Sequence, residues 1–301
     1  MMAASRSTVL VWAEMIKFSH SVFALPFALM AAFLAGRERA SGLPAAWQLT
    51  LIVVCMVAAR SAAMTFNRIV DARIDARNPR TAGRPLVAGS INRFQAILFF
   101  VACCIVFVAA CAGFLVVDDN VWPILLAGPV LAYICGYSYT KRFTPWSHFV
   151  LGSAIACSPV AAWLAIHPAS IGWPAIVLMA AVTCWIGGFD IIYACQDVEI
   201  DRRHGLRSLP ARLGVARALW ITRGAHLATV AMLAGLAPLA SLGWLYGIGV
   251  ATVAVLLLIE NRLVRADDLS RVNVAFFTVN GVVSLVLGGL AIADILVVSP
   301  G

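Results

Sequence analysis

The chain has 301 residues, of which 62% are hydrophobic and only 12% charged, with a formal net charge of +8. A soluble domain carries about twice that share of charge, so a globular cytosolic protein, disorder, collagen and a disulfide scaffold are all excluded. What remains is an all-α integral membrane protein, read as one domain over residues 1–301.

Nine apolar segments follow in chain order: 18–36, 45–66, 93–117, 121–140, 146–167, 171–196, 215–240, 242–261 and 272–298. Each is near the roughly 20 residues that cross a hydrocarbon core as a helix. The runs are long and continuous, which favours helices over the ten-residue alternation of a barrel. The first contains Pro26 and leads into further spans, so it reads as a membrane helix and not a cleaved signal. Six of the eight Cys (Cys55, Cys103, Cys104, Cys111, Cys135 and Cys157) lie inside these runs without a Cys-x-x-Cys pair. They read as membrane-buried thiols, with neither a disulfide framework nor a zinc site.

The 22 Lys and Arg split by side. Arg6 and Lys17 precede the first span; loop 2–3 holds Arg68, Arg73, Arg77, Arg80, Arg84 and Arg93. Lys141 and Arg142 follow span 4, Arg202 to Arg217 follow span 6, and Arg262, Arg265 and Arg271 follow span 8. The opposite side has only Arg37 and Arg39, with Arg60 and Arg223 inside helices. The positive-inside rule therefore predicts a cytoplasmic N-terminus and an outside C-terminus in the cytoplasmic (inner) membrane.

Two acidic segments lie among those arginines. The first runs Asn67-Arg68-Ile-Val-Asp71-Ala-Arg-Ile-Asp75 and ends in Arg80-Thr81-Ala-Gly-Arg84-Pro85. The second runs from Asp190 through Tyr193-Ala-Cys-Gln196-Asp197 to Asp201. Residues four apart share a helix face, so Asn67, Asp71 and Asp75 predict one polar stripe. Asp190, Asp197 and Asp201 predict another. Like charges at that spacing repel unless a cation joins them, and hard oxygens suit Mg²⁺ with phosphate oxygens as further ligands. Two facing stripes would hold a diphosphate through Mg²⁺, with Arg and Lys neutralising the rest. Asp190 and Arg60 lie deepest, and ionisable groups at membrane depth are functional by default.

The first segment closely resembles the Asn-x-x-x-Asp-x-x-x-Asp signature of UbiA-type intramembrane prenyltransferases, and the second resembles their second aspartate motif. Lys17-Phe-Ser-His20 through Phe27 looks like the family's first helix, and Tyr137-Ser-Tyr139-Thr-Lys141-Arg142 is similar to its helix 4–5 loop. The resemblance implies a nine-transmembrane-helix bundle around a central cavity, opening to lipid. It implies Mg²⁺-dependent transfer of a polyprenyl group from its diphosphate to an acceptor. Asn67, Asp71, Asp75, Asp197 and Asp201 would bind the metal. Arg68, Arg80, Arg84, Lys141 and Tyr139 would contact the diphosphate, and Asp190 would orient the acceptor or take its proton. The expected acceptor is aromatic, 4-hydroxybenzoate in quinone synthesis, with a futalosine-derived acid of menaquinone synthesis as the alternative. A transporter is the competing class, but paired motifs on one side fit it poorly, since transport sites lie near the midplane. The expected partners are the two substrates and membrane lipid. No nucleic-acid module is recognisable, and no obligate protein partner is evident.

Overall fold

The computed structural model describes residues 8–16 and 21–298. The predicted positions of Arg6, Lys17 and His20 lie outside them. Among the described residues the chain is helical: α1 (Thr8–Ile16), α2 (Ser21–Arg37), α3 (Ala46–Asp75), α4 (Arg93–Asp118), α5 (Trp122–Gly136) and α6 (Ser147–Ile166). Then follow α7 (Trp173–Ala194), α8 (Val198–Arg203), α9 (Leu209–Leu213), α10 (Val215–Leu239), α11 (Trp244–Leu263) and α12 (Asn280–Val298), the last preceded by a π-turn, Val274–Val279.

Each predicted segment contains a helix, but the count of nine full spans is not met. Among the described residues, seven helices are long and apolar enough to cross a membrane. Those at the first and fourth segments are shorter, 17 residues in α2 and 15 in α5. The reason at α5 is local. The chain leaves the helix at Gly136 for a tight 3₁₀ turn, Tyr137–Arg142, which buries Ser138 and Thr140. The opposite departure occurs in α3, whose helix runs nine residues past the predicted end of its span. Its 30 residues make a rod of about 45 Å, longer than the ~30 Å hydrocarbon core. The first acidic motif rides on that overhang.

The core gathers around α7, which buries Leu178, Trp185, Ile186, Phe189, Ile191 and Ile192 between α6 and α10. Lipid offers no hydrophobic drive between helices, so close packing must supply it, and small residues set how near two helices come. Gly152 of α6 is such a contact. A Cβ there would lie 2.5 Å from the Thr183 carbonyl oxygen of α7. Gly288 of α12 meets Pro26 of α2 in the same way, a Cβ standing 2.4 Å from the proline ring. Exposed Phe94, Phe143, Trp146 and Trp220 ring the end that carries the acidic motifs, and Trp122, Trp173 and Trp244 ring the other. These belts match the two water–lipid boundaries. At the far end Arg39 grips Asp118 through two hydrogen bonds of 3.0 and 3.2 Å, and Gln48 donates to the same carboxylate at 2.8 Å. Asn120 donates to the Leu164 carbonyl at 2.8 Å, joining the next loop to the same patch.

The α6–α7 contact gives a stability test. Gly152→Ala should destabilise the protein in detergent by about 1–3 kcal/mol, the usual cost of overpacking against rigid neighbours. Gly128→Ala, where a Cβ meets nothing within 4 Å, should leave the thermal midpoint unchanged. Equal midpoints for the two variants would remove backbone proximity as the reason for Gly152.

Candidate active site

The first motif forms the stripe predicted for it. Asn67, Asp71 and Asp75 follow one another at four-residue steps up α3, and Asn67 Nδ2 donates to Asp71 Oδ2 at 3.2 Å. Asp71 and Asp75 are both buried, 1% and 6% exposed, so each needs a counter-charge. Asp71 takes two from the 3₁₀ turn: Lys141 on Oδ2 and Arg142 at 3.3 Å on Oδ1. A 3₁₀ turn repeats every three residues, so Ser138 and Lys141 project together. Ser138 Oγ accepts from Asn67 at 3.4 Å, one helical turn below the Lys141 contact.

Asp75 takes its counter-charge from the loop that follows α3. Arg84 Nη1 lies 2.6 Å from Asp75 Oδ2, and Thr81 Oγ1 donates to the Asp75 carbonyl at 2.9 Å. The same loop also crosses to the second motif. Asn78 Oδ1 accepts from the Arg80 backbone N–H at 3.0 Å, an Asx turn that fixes the loop's direction. Arg80 then forks onto Asp197, with Nε 2.9 Å from Oδ1 and Nη2 on Oδ2, while Asn78 Nδ2 donates to Oδ1 at 3.0 Å. Arg80 Nη1 also donates to the Tyr193 hydroxyl at 2.9 Å. Burial works against the Arg80 charge, but Asp197, Tyr193 and Asp75 outweigh it and hold its pKa above the ordinary arginine value.

The second motif departs from its predicted stripe. α7 ends at Ala194, tightens into a 3₁₀ turn at Cys195–Asp197 and resumes as α8. Three residues per turn in place of 3.6 shifts the phase, so the three aspartates face different partners. Asp190 pairs with His148 Nδ1 at 2.7 Å, Asp197 with Arg80, and Asp201 with Ser208 Oγ at 2.5 Å. The Leu209 N–H donates to His148 Nε2 at 3.3 Å, which leaves Nδ1 as the protonated nitrogen that donates to Asp190.

Between the motifs lies a chamber of about 210 Å³. Asn67, Arg68, Arg84, Arg60, Asp190 and Tyr137 form its polar lining, and Phe23, Phe189, Tyr193 and Phe276 its aromatic one. Tyr139 does not line it. That side chain is 40% exposed, packs on Phe66 and lies beneath the Arg142 guanidinium, whereas Tyr137 two residues earlier faces the chamber. Below the polar end, Arg60, Tyr137, Leu151 and Ile155 are shared with an apolar cavity of about 100 Å³. That one shares Met56, Ala59, Ile134, Ala154 and Ser158 with another of about 130 Å³, which ends at Trp122 and Pro123. Sequence reasoning did not single out Asn78, Arg142 or His148. Asn78 had a signal, its place before Pro79 in the arginine tail; His148, alone in an apolar span, had none.

Among the described residues no three metal-ligating side chains of the His, Cys, Asp and Glu types converge on one point. Asp71, Asp75 and Asp197 are turned to cations instead, and Asp201 to the Ser208 hydroxyl. Their chemistry still suits a hard divalent ion: Asn67 and four carboxylates offer oxygen only.

Comparison with known proteins bears on this arrangement. The model for the UbiA prenyltransferase family matches residues 24–282. A protein of Nitrosospira multiformis named 4-hydroxybenzoate octaprenyltransferase is 30% identical over 253 residues, 84% of this chain and 85% of its own. The apo structure of a UbiA homolog from Aeropyrum pernix superposes with a TM-score of 0.80 at 30% identity, covering 91% of this chain and 98% of that one. A UbiA homolog from Archaeoglobus fulgidus, solved with DMAPP and Mg²⁺, shares the fold with a TM-score of 0.70 at 19% identity, over 95% and 99% of the two chains.

The crossing loop can be tested without any substrate. Arg80→Met and Asp197→Asn should each speed backbone amide exchange in residues 76–92 several-fold. Their effects on stability should be coupled by roughly 1 kcal/mol, the upper end for a partly exposed ion pair. Additive effects in the double mutant would mean that the loop is held by something else.

Proposed function

This chain belongs to the UbiA prenyltransferase family, and on that premise we propose that it transfers a polyprenyl group from polyprenyl diphosphate to 4-hydroxybenzoate with Mg²⁺ as cofactor. The observation that carries the reading is the junction of an oxygen-only acidic rim, a set of Arg and Lys, and a run of apolar cavities. A diphosphate is a dense anion on a greasy tail, and these are the two environments it needs.

Asn67, Asp71 and Asp75 on one side, with Asp197 and Asp201 on the other, would hold the metal. When bound, Mg²⁺ neutralises the diphosphate and makes it a better leaving group. With Mg²⁺ bound, the carboxylates now held by Lys141, Arg84 and Arg80 would turn to the metal, and those cations would be free for phosphate oxygens. Arg68, buried beside Arg84, joins them. The swap keeps every charge paired, which buried charge requires. The Mg²⁺ and DMAPP found with the Archaeoglobus fulgidus homolog support this reading.

Departure of the diphosphate leaves an allylic cation at C1. Phe23, Phe189, Tyr193 and Phe276 wall the chamber, where ring faces stabilise positive charge and exclude water. The apolar cavities towards Trp122 take the tail. The acceptor's ring carbon bonds to C1, and the displaced ring proton goes to Asp190, a chamber-lining carboxylate steadied by His148. For the acceptor itself, two facts support an aromatic acid. Arg60 lies between the polar chamber and the apolar cavities with a buried Nε–H that donates no hydrogen bond. A free guanidinium donor there suits a small carboxylate. The names of relatives, such as the Nitrosospira multiformis protein, support 4-hydroxybenzoate as that acid. The one-sided basic loops support an inner-membrane placement with the diphosphate rim facing the cytoplasm.

The direct test offers purified protein several prenyl diphosphates with 4-hydroxybenzoate and with a futalosine-derived acid, and reads products by mass spectrometry. Prenylated 4-hydroxybenzoate is expected, lost with EDTA, restored by Mg²⁺, and lost by 100-fold or more, on the order of 3 kcal/mol of transition-state stabilisation, in Asp71→Asn and Asp197→Asn. Full activity in either variant would sink the metal assignment, and product with the futalosine acid alone would move the acceptor. Arg60→Met should raise KM for the aromatic acid at least tenfold, about 1.4 kcal/mol for a lost charged hydrogen bond, while KM for the diphosphate holds. Equal effects on both KM values would place Arg60 with the diphosphate.

A further inference from the structure

One buried polar group lies outside the site and is expensive to keep in a membrane. Glu260 of α11 and Asn280 of α12 are both 0% exposed, and Trp185 of α7 is 1% exposed. Asn280 joins them: its Nδ2 donates to Glu260 Oε1 at 2.8 Å, and its Oδ1 accepts from the Trp185 indole N–H at 2.7 Å. None of the three lines the reaction chamber. The same Nδ2 also reaches the carbonyls of Ala275 and Phe276, at 3.0 and 3.3 Å. Those carbonyls belong to the π-turn that precedes α12.

A π-turn fits one residue more into a turn than an α-helix does, and such turns concentrate at functional sites. Each residue of an α-helix advances about 100°. One wide turn therefore rotates everything before it by that angle relative to α12. The residue this rotation delivers is Phe276. Its ring meets Tyr193 at 4.3 Å, Phe277 at 4.9 Å, Phe189 at 5.1 Å and Phe23 at 6.0 Å, and it lines the chamber. Tyr193 in turn holds Arg80 on the rim.

We propose that Asn280, braced between Glu260 and Trp185, is a positioning residue that keeps the Val274–Val279 π-turn wound so that Phe276 closes the chamber wall against water. It touches no substrate and acts through Phe276. The proposal rests on the prenyl-transfer reading, because water exclusion matters only if a cation forms. Its failure mode is specific. Water's oxygen bonds to C1 as the C1–O bond to diphosphate breaks, the proton goes to diphosphate, and free prenyl alcohol appears with no change of oxidation state.

The test is the partition of one prenyl diphosphate between prenylated 4-hydroxybenzoate and prenyl alcohol, on the full chain in detergent. Asn280→Ala should raise the alcohol fraction several-fold, to the level seen in Phe276→Leu, with diphosphate affinity unchanged. Trp185→Phe, which removes the indole donor and part of the ring while keeping an aromatic side chain, should raise it less and serves where Asn280→Ala does not fold. Glu260→Gln keeps an acceptor for Asn280 and should match the unsubstituted chain. Backbone exchange at 274–279 in the substrate-free protein should quicken in Asn280→Ala and Trp185→Phe but not in Glu260→Gln. That readout stands even if no acceptor is prenylated, so the two readings fail separately. Unchanged partition and unchanged exchange in Asn280→Ala and Trp185→Phe would overturn the proposal, as would a Glu260→Gln variant that behaves like Asn280→Ala.

Discussion

A carboxylate at the edge of an apolar bundle stays charged only while a cation sits on it. Much of the architecture at this end of the molecule satisfies that demand. α3 runs on past its apolar stretch and carries Asp71 and Asp75 up as a rigid stripe. α5 stops early, so that a 3₁₀ turn can lift Lys141 and Arg142 to Asp71. The loop after α3 returns Arg84 to Asp75 and sends Arg80 across to Asp197. An exposed pair of this kind contributes little, about 0–1 kcal/mol. A buried acid stripped of its partner costs about 3–5 kcal/mol, and that asymmetry is what fixes these elements in place. It also makes the site exchangeable, since the cations that hold the acids are the groups a diphosphate needs.

The sequence was most legible where spacing alone decides geometry. Asn67, Asp71 and Asp75 fall on one face because a helix turns every 3.6 residues, and nothing in the fold competes with that. The second motif was misread as a stripe because the same count was carried through Cys195–Asp197, where the helix tightens. No residue in Ala-Cys-Gln-Asp announces a 3₁₀ turn. The nine predicted segments each hold a helix, but the length of the fourth was not legible for a related reason. Hydropathy sees 121–140 as one run, while the chain leaves the helix at Gly136 to reach Asp71, a tertiary demand. His148 and Trp185 were illegible for a simpler cause: each stands alone among apolar residues, and its partner lies 42 or 95 positions away.

Polarity falls steeply along the chamber. At its mouth are Arg84, Arg68 and Asn67; at its waist, Arg60, Tyr137 and Asp190; beyond, no charged residue as far as Trp122, only apolar and small ones with Phe107 and Phe114 among them. α3 builds most of this gradient by itself, with Asn67 and Arg68 high, Arg60 midway, and Met56, Cys55 and Ile52 below. A single helix can present so graded a face because its neighbours change along its length: the 3₁₀ turn above, α5 and α6 below.

The clasp of Arg39, Gln48 and Asp118 on the remote side, with Asn120 pinned to Leu164, has a mechanical meaning. Fastened at one extremity, the rods cannot slide lengthwise past each other without breaking charged contacts. The knot and the arginine loop that spans from α3 to Asp197 stand at opposite ends of the bundle, so the helices are tied together at both extremities, by a clasp on one side and by a bridge over the chamber on the other.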